Sequence, residues 1–137
     1  MFENIPNELK QNALFCCWKL TQNGKVPVDV VKRTLAKSND KTTFYDWATI
    51  LKYAGGYLRK DNNKWIGGIG LGIFNGFSAI DIDHCIENGK ISDMAQEIID
   101  YCQSYTEKSP SGTGIRIIFK TDFKDYDKTQ YYINNNS

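Results

Sequence analysis

The sequence predicts one mixed α/β (α+β) domain, and three patterns point there. Apolar residues alternate with small or charged ones at Ile69, Leu71 and Ile73, at Ile80 and Ile82, and at Ile115, Ile117 and Phe119, which is the period of strands. Elsewhere the period is helical: Trp47, Ile50, Leu51 and Ala54 form one stripe, and Ala95, Ile98, Ile99 and Cys102 form another. With 137 residues, 41% of them hydrophobic, the chain can build a single core over residues 1–137 and is too apolar for global disorder.

Taken in order, residues 14–20 are a short apolar and aromatic run that reads as a buried strand. Asn23-Gly24 is a turn signal, and residues 25–28 are the return segment. Residues 32–43 are polar, contain Ser38-Asn39-Asp40, and are expected to be loop. Asp46 is placed to cap the first helix, and Gly55-Gly56 to end it. Asn75-Gly76 is a strong signal for a two-residue hairpin turn. Closing such a hairpin pairs Leu71 with Ile80 and Ile69 with Ile82 on the core face. On the other face it sets Gly72 against Ala79, Gly70 against Asp81 and Gly68 against Asp83. Ser92 is the expected N-cap of the second helix, with Asp93 suited to the positive end of its dipole. Beyond the strand over residues 115–120, the tail from 122 is polar and rich in tyrosine and asparagine, with a frayed end expected.

Composition narrows the function. The net charge of +1 gives no global nucleic-acid footprint, so any such contact must come from a local patch. Cys16, Cys17, Cys85 and Cys102 form no C-x-x-C pair, and the lone His84 adjoins Cys85, which leaves a zinc knuckle unsupported. Cys16 and Cys17 are neighbours on a strand, so one is expected to point in and one out, as reduced thiols. No stretch approaches the roughly 20 apolar residues of a membrane span, and Met1-Phe2-Glu3-Asn4 does not open a signal segment, so a soluble intracellular protein without a membrane partner is expected.

The chemistry centres on Asp81 and Asp83. Two apart on a strand, they project to the same side with about 7 Å between Cα atoms. Carboxylates that close repel unless a cation lies between them, and hard oxygen donors suit Mg²⁺ or Mn²⁺. Such ions accompany nucleotidyl and phosphoryl transfer. The alternative is a pair of solvated acids on an exposed strand face. Ser109, Ser111, Gly112, Thr113 and Gly114 form a second element: glycines and small hydroxyls in a turn expose N–H groups that cradle anions. Arg116 follows, and alternation points it the way of the acids. The loop is not a Walker A motif, because no Lys-Ser/Thr pair follows a five-residue spacer. Its bland reading is a flexible turn.

Together these residues resemble the primase-polymerase (prim-pol) domain of phage and plasmid replication proteins, within the archaeo-eukaryotic primase superfamily. The resemblance runs through Phe15-Cys16-Cys17-Trp18-Lys19, Lys25-Val26-Pro27, Gly68-Ile69-Gly70, Ile80-Asp81-Ile82-Asp83-His84-Cys85 and Ser104-Tyr105-Thr106-Glu107-Lys108-Ser109-Pro110-Ser111-Gly112-Thr113-Gly114. It implies a primase-type catalytic core with an RRM-like mixed or antiparallel sheet flanked by helices. It further implies metal binding by Asp81 and Asp83, triphosphate binding by the 109–114 loop and Arg116, and a single-stranded DNA template. Lys19 and Lys25 are candidates to line the template or nucleotide path, against the default of solvated surface lysines. The partners implied are nucleoside triphosphates, DNA and a helicase domain or subunit, in the cytoplasm of a bacterial host.

Two departures from that family pattern stand out. Arg116 occupies the position where the family usually has a phosphate-contacting histidine, and arginine keeps the charge but cannot titrate near neutral pH. The family also takes a further acid from a later strand. Tyr131-Tyr132-Ile133-Asn134 resembles the lead-in to it, and Asp122, Asp125 and Asp127 lie in the region without a motif to choose among them. The chain is therefore expected to be the N-terminal part of a longer catalytic core, or naturally short. His84, if on a strand, would alternate away from the acids. The competing expectations are a non-catalytic nucleotide- or nucleic-acid-binding module, and a nucleotide-sugar transferase using D-x-D with Mn²⁺.

Overall fold

Phe15, Cys16, Cys17 and Trp18 are all buried, so the strand that carries them is covered on both faces. A computed structural model of the chain describes residues 2–120. Asp122, Asp125, Asp127 and the 131–134 segment lie outside the described residues. In chain order the elements are α1 (Asn7–Asn12), β1 (Leu14–Thr21), β2 (Gly24–Asp29), β3 (Thr34–Leu35), a 3₁₀ turn (Lys41–Thr43) and α2 (Trp47–Ala54). There follow β4 (Arg59–Asp61), β5 (Lys64–Gly72), β6 (Phe77–Ile82), β7 (Ile86–Glu87), β8 (Lys90–Ile91), α3 (Asp93–Cys102), β9 (Tyr105–Lys108) and β10 (Ile115–Lys120). This is a mixed α+β fold with three helices among the described residues.

All strand pairing among these elements is antiparallel. One sheet has the order β3-β2-β1-β5-β4 and a second has β6-β10-β9, while β7 and β8 form a small separate hairpin. Helix α2 starts where expected, with the Asp46 carboxylate accepting from the Thr49 N–H at 2.9 Å, and packs Ile50 and Ala54 inward. In α3 the Ser92 hydroxyl accepts from the Ala95 N–H at 3.2 Å. Its apolar stripe lies on Ile115 and Ile117 of β10, making a core with Ile82, Cys85 and Ile86. The other face of the second sheet supplies Phe77, Ala79, Ile118 and Tyr105 to the core that holds Phe15, Cys17, Ile69 and Leu71. The two sheets therefore share one apolar interior, and this fixes where their polar ends meet.

The structure overturns the expected hairpin. Asn75 and Gly76 do make a tight turn, with φ of 58° and 84° and the Phe77 N–H bonded to the Phe74 carbonyl at 3.2 Å. The strands it joins then part: β5 pairs with β1 and β4, and β6 pairs with β10. The glycines thus face β1, not the acids. A Cβ at Gly68 would come within 2.9 Å of the Trp18 indole nitrogen, one at Gly70 within 3.0 Å of the Cys16 sulfur, and one at Gly72 within 2.7 Å of the Phe74 ring. They make room for large side chains, and a turn signal specifies the reversal without specifying which strand receives the return.

Smaller corrections follow from the same geometry. Cys16 and Cys17 are both buried, because the five-stranded sheet is covered on both faces. Residues 32–43 hold a short strand and a 3₁₀ turn capped by the Asp40 carboxylate, not loop alone. Ile73 is exposed, so the apolar alternation of β5 ends at Leu71.

Candidate functional site

In the register of β6 and β10, Asp81 stands directly opposite Arg116, and on the other side of Arg116 stands Glu107 of β9. Ordinary antiparallel geometry points all three to one side of the sheet. The guanidinium grips Asp81 with both arms: Nε donates to Oδ1 at 2.7 Å and Nη2 donates to Oδ2 at 3.2 Å. The hydrogen bond to Asp81 raises the Arg116 pKa above its ordinary value, against the opposing effect of desolvation. The side chains remain 36% and 51% exposed, which limits the pair to about 1 kcal/mol and leaves it open to competition.

Asp83 lies one residue past β6, in the turn that includes His84. His84 has a φ of 56° and is not on a strand, so the expected alternation away from the acids does not apply. The 109–114 loop folds over this turn. Gly114 sits on the Ile82–Asp83 backbone, and the Thr113 carbonyl accepts from the Ile86 N–H at 2.9 Å.

The loop uses its backbone internally. The Gly112 and Gly114 N–H groups donate to the Ser109 carbonyl and hydroxyl at 2.8 and 3.0 Å, and the Ser109 N–H donates to the Gly114 carbonyl at 2.9 Å. What the loop presents is a relay of hydroxyls, Ser109 to Ser111 at 3.0 Å and Ser111 to Thr113 at 2.9 Å. Hydroxyl hydrogens rotate to suit an acceptor, so this edge can turn donors toward an anion.

Asp83, His84 and the loop border one cleft of about 640 Å³ that the first sheet closes on its other side, while Asp81 and Arg116 do not line it. Trp18, Leu20 and Lys25 come from β1 and β2, Lys64 and Trp65 from β5, and Asp83, His84 and the Ser109–Gly114 loop close the opposite side. Lys25 lies over the Trp18 ring at 5.1 Å, and Lys60 over the Trp65 ring at 4.7 Å. Desolvation lowers the Lys25 pKa first and Arg116 lowers it second, while Asp81, Asp83 and Glu107 pull it back up. Lys25 therefore belongs to the same electrostatic cluster. Lys19 does not line the cleft: on β1 it alternates with Trp18 and Leu20 and faces the other side of the sheet.

Of the residues singled out from sequence, Asp83, Lys25 and the loop line this cleft and the Asp81–Arg116 pair does not, while Trp18, Trp65 and Glu107 were not singled out as site residues. Trp18 and Trp65 needed the β1–β5 pairing. Glu107 needed only the next strand over, and its alternation with Tyr105 was readable.

Asp81 and Asp83 have the donor chemistry for a hard divalent cation. Both Asp81 oxygens, however, already accept from Arg116, and no group of three or more His, Cys, Asp or Glu side chains converges among the described residues. The acids fit a cation by type, with Arg116 as a standing competitor.

Fold and site together describe an antiparallel α+β domain with an acid–arginine pair beside a hydroxyl-edged cleft. No protein-family model matches the chain. Its sequence is similar to a DNA primase-polymerase of Nitratiruptor phage NrS-1, 29% identical over 134 residues that take in 93% of this chain. The chain spans 18% of that relative's length.

Proposed function

We propose that this chain is the nucleotide-binding part of a DNA primase-polymerase core, carrying the site where a nucleoside triphosphate is joined to a nucleic-acid strand. The observation that carries the reading is the meeting of Asp83, Lys25 and the hydroxyl loop around one cleft, with Asp81 and Arg116 within electrostatic reach of Lys25, in a chain similar to a phage primase-polymerase. The RRM-like half would be β6, β10 and β9 with α3 behind them.

In this reading Arg116, Lys25 and the Ser109, Ser111 and Thr113 hydroxyls bind the triphosphate, and the indole of Trp18 lines the cleft where the nucleoside enters. The bond made is between a strand's 3′ oxygen and the α-phosphorus. The bond broken is the α–β anhydride, and pyrophosphate leaves. Mg²⁺ or Mn²⁺ on Asp81 and Asp83 would neutralise charge at the phosphates. Single-stranded DNA is the template, and the helicase that the family resemblance implies would be a further domain or subunit. No helix among the described residues is long and apolar enough to cross a membrane.

The test is isothermal titration of a dNTP with Mn²⁺ into this chain and into the Asp81→Ala/Asp83→Ala double variant. Binding that the double variant loses supports the reading, and absence of binding by the wild type ends it. The arginine grip on Asp81 favours one second reading, a module that binds nucleotide or DNA without catalysis. Extension of a primed single-stranded template separates the two.

A further inference from the structure

We propose that Arg116 and a divalent cation are alternative partners of Asp81, so that the cation is taken up only when something else claims the guanidinium. The inference rests on the functional reading above for the identity of that claimant, a nucleotide's phosphates. The competition itself rests on geometry alone.

Three observations carry it. Both oxygens of Asp81 accept from one guanidinium, at 2.7 and 3.2 Å, so the lone pairs that point toward Arg116 are in use. No third His, Cys, Asp or Glu joins Asp81 and Asp83 among the described residues to hold a cation without Asp81. Positive charge is already in place there: the Arg116 guanidinium itself lies 2.7 Å from the Asp81 carboxylate. A dication approaching Asp81 meets a carboxylate with one lone pair of each oxygen already engaged and a like charge held against it.

The same pair is built to be released. Asp81 and Arg116 are half exposed, so parting them strands no buried charge. A triphosphate offers the guanidinium fork a bidentate partner of greater negative charge than one carboxylate. Once Arg116 turns to phosphate, Asp81 is left as a bare carboxylate two positions before Asp83, and its unpaired negative charge favours a cation. Cation and nucleotide then assist each other's binding, and the coupling must be equal in both directions. A histidine in place of Arg116 would not impose the same block, because a neutral imidazole neither forks a carboxylate nor repels a cation.

The experiment measures Mn²⁺ binding to the nucleotide-free chain through the electron paramagnetic resonance signal of free Mn²⁺. Arg116→Gln is expected to bind Mn²⁺ about tenfold more tightly than the wild type, because it removes both the fork and the charge. Arg116→Lys, which keeps the charge and loses the fork, is expected to fall between them. The gain should vanish in Asp81→Asn/Arg116→Gln. Equal Mn²⁺ affinity in wild type and Arg116→Gln overturns the proposal, and so does a gain that survives loss of Asp81. Circular dichroism melts establish that each variant is folded. The dNTP titration described above is a separate readout: if it fails while the Mn²⁺ pattern holds, the functional reading falls and the competition stands.

Discussion

Gly114 presses on the backbone of Ile82: a Cβ at position 114 would stand 2.9 Å from the Ile82 carbonyl oxygen and 3.5 Å from the Asp83 Cα. Backbone on both sides leaves little room to yield. Gly114→Ala must lift the 109–114 loop off the turn that carries Asp83. We expect a loss of about 1–3 kcal/mol in stability, typical of overpacking, together with weaker dNTP binding. Gly55→Ala is the control, since nothing lies within 4 Å of a Cβ there and its φ is −57°. That change should leave both quantities within about 0.5 kcal/mol of the wild type, or raise stability slightly. Urea unfolding and calorimetric titration of the two variants check both halves. A normally stable Gly114→Ala would mean that the loop does not rest on β6.

A second expectation concerns acid stability. Asp29 is fully buried, and its Oδ1 accepts from the Tyr45 hydroxyl at 2.6 Å and from the Val31 and Lys32 N–H groups at 3.1 and 3.0 Å. Burial pushes this carboxyl up, but the hydrogen bonds from Tyr45, Lys32 and Val31 outweigh it, and the net pKa lies below the ordinary 3.8. Tyr45 is pushed up to about 12, by burial first and by Asp29 second. A carboxyl depressed in the folded state contributes stability above its unfolded value and loses it as pH falls through the folded value. Stability should therefore be level near neutrality and decline below about pH 4. Tyr45→Phe should cost about 1.5–3 kcal/mol at pH 7, the range for a hydrogen bond to a charged group, and should flatten the acid decline. Urea midpoints from pH 7 down to pH 3 measure both, and an unchanged acid limb would show that Asp29 does not govern it.

The parts of this fold that were legible in sequence are those set by local rules. Asp46 and Ser92 cap their helices because a short polar side chain before an apolar stripe has one good use. Arg116 shares a face with Asp81 because alternation along each strand fixes it, given apolar partners on the other face. What escaped were pairings between distant segments. Gly68 and Gly70 of β5 were expected to stand against the acids, yet the side chains that fill the space beside them are Trp18 and Cys16, fifty or more positions earlier on β1. The internal bonding of the 109–114 loop was equally hidden, since composition does not reveal which N–H groups find partners within the turn. The turns at Asn62-Asn63 and Asn88-Gly89, all at positive φ, were signals left unread.

The two lysines of the sequence reading now part company, and their difference tests where the cleft is. Lys25, opposite Leu20 on β2, lies over Trp18 and within the field of Arg116, Asp81 and Asp83. Lys19 is on the same sheet but on its other face. Lys25→Ala should weaken dNTP binding about tenfold, or about 1.4 kcal/mol, with a shallower salt dependence. Lys19→Ala should change it less than about twofold, as an exposed lysine away from the ligand does. The pH profile adds a second signature. Because desolvation, and then Arg116, lower the Lys25 pKa, its charge is lost before that of a lysine at the ordinary 10.5. Wild-type binding should therefore decline on the alkaline side earlier than a surface lysine predicts, and Lys25→Arg, which stays charged, should remove that decline. Equal losses in Lys19→Ala and Lys25→Ala would place the phosphates elsewhere than in this cleft.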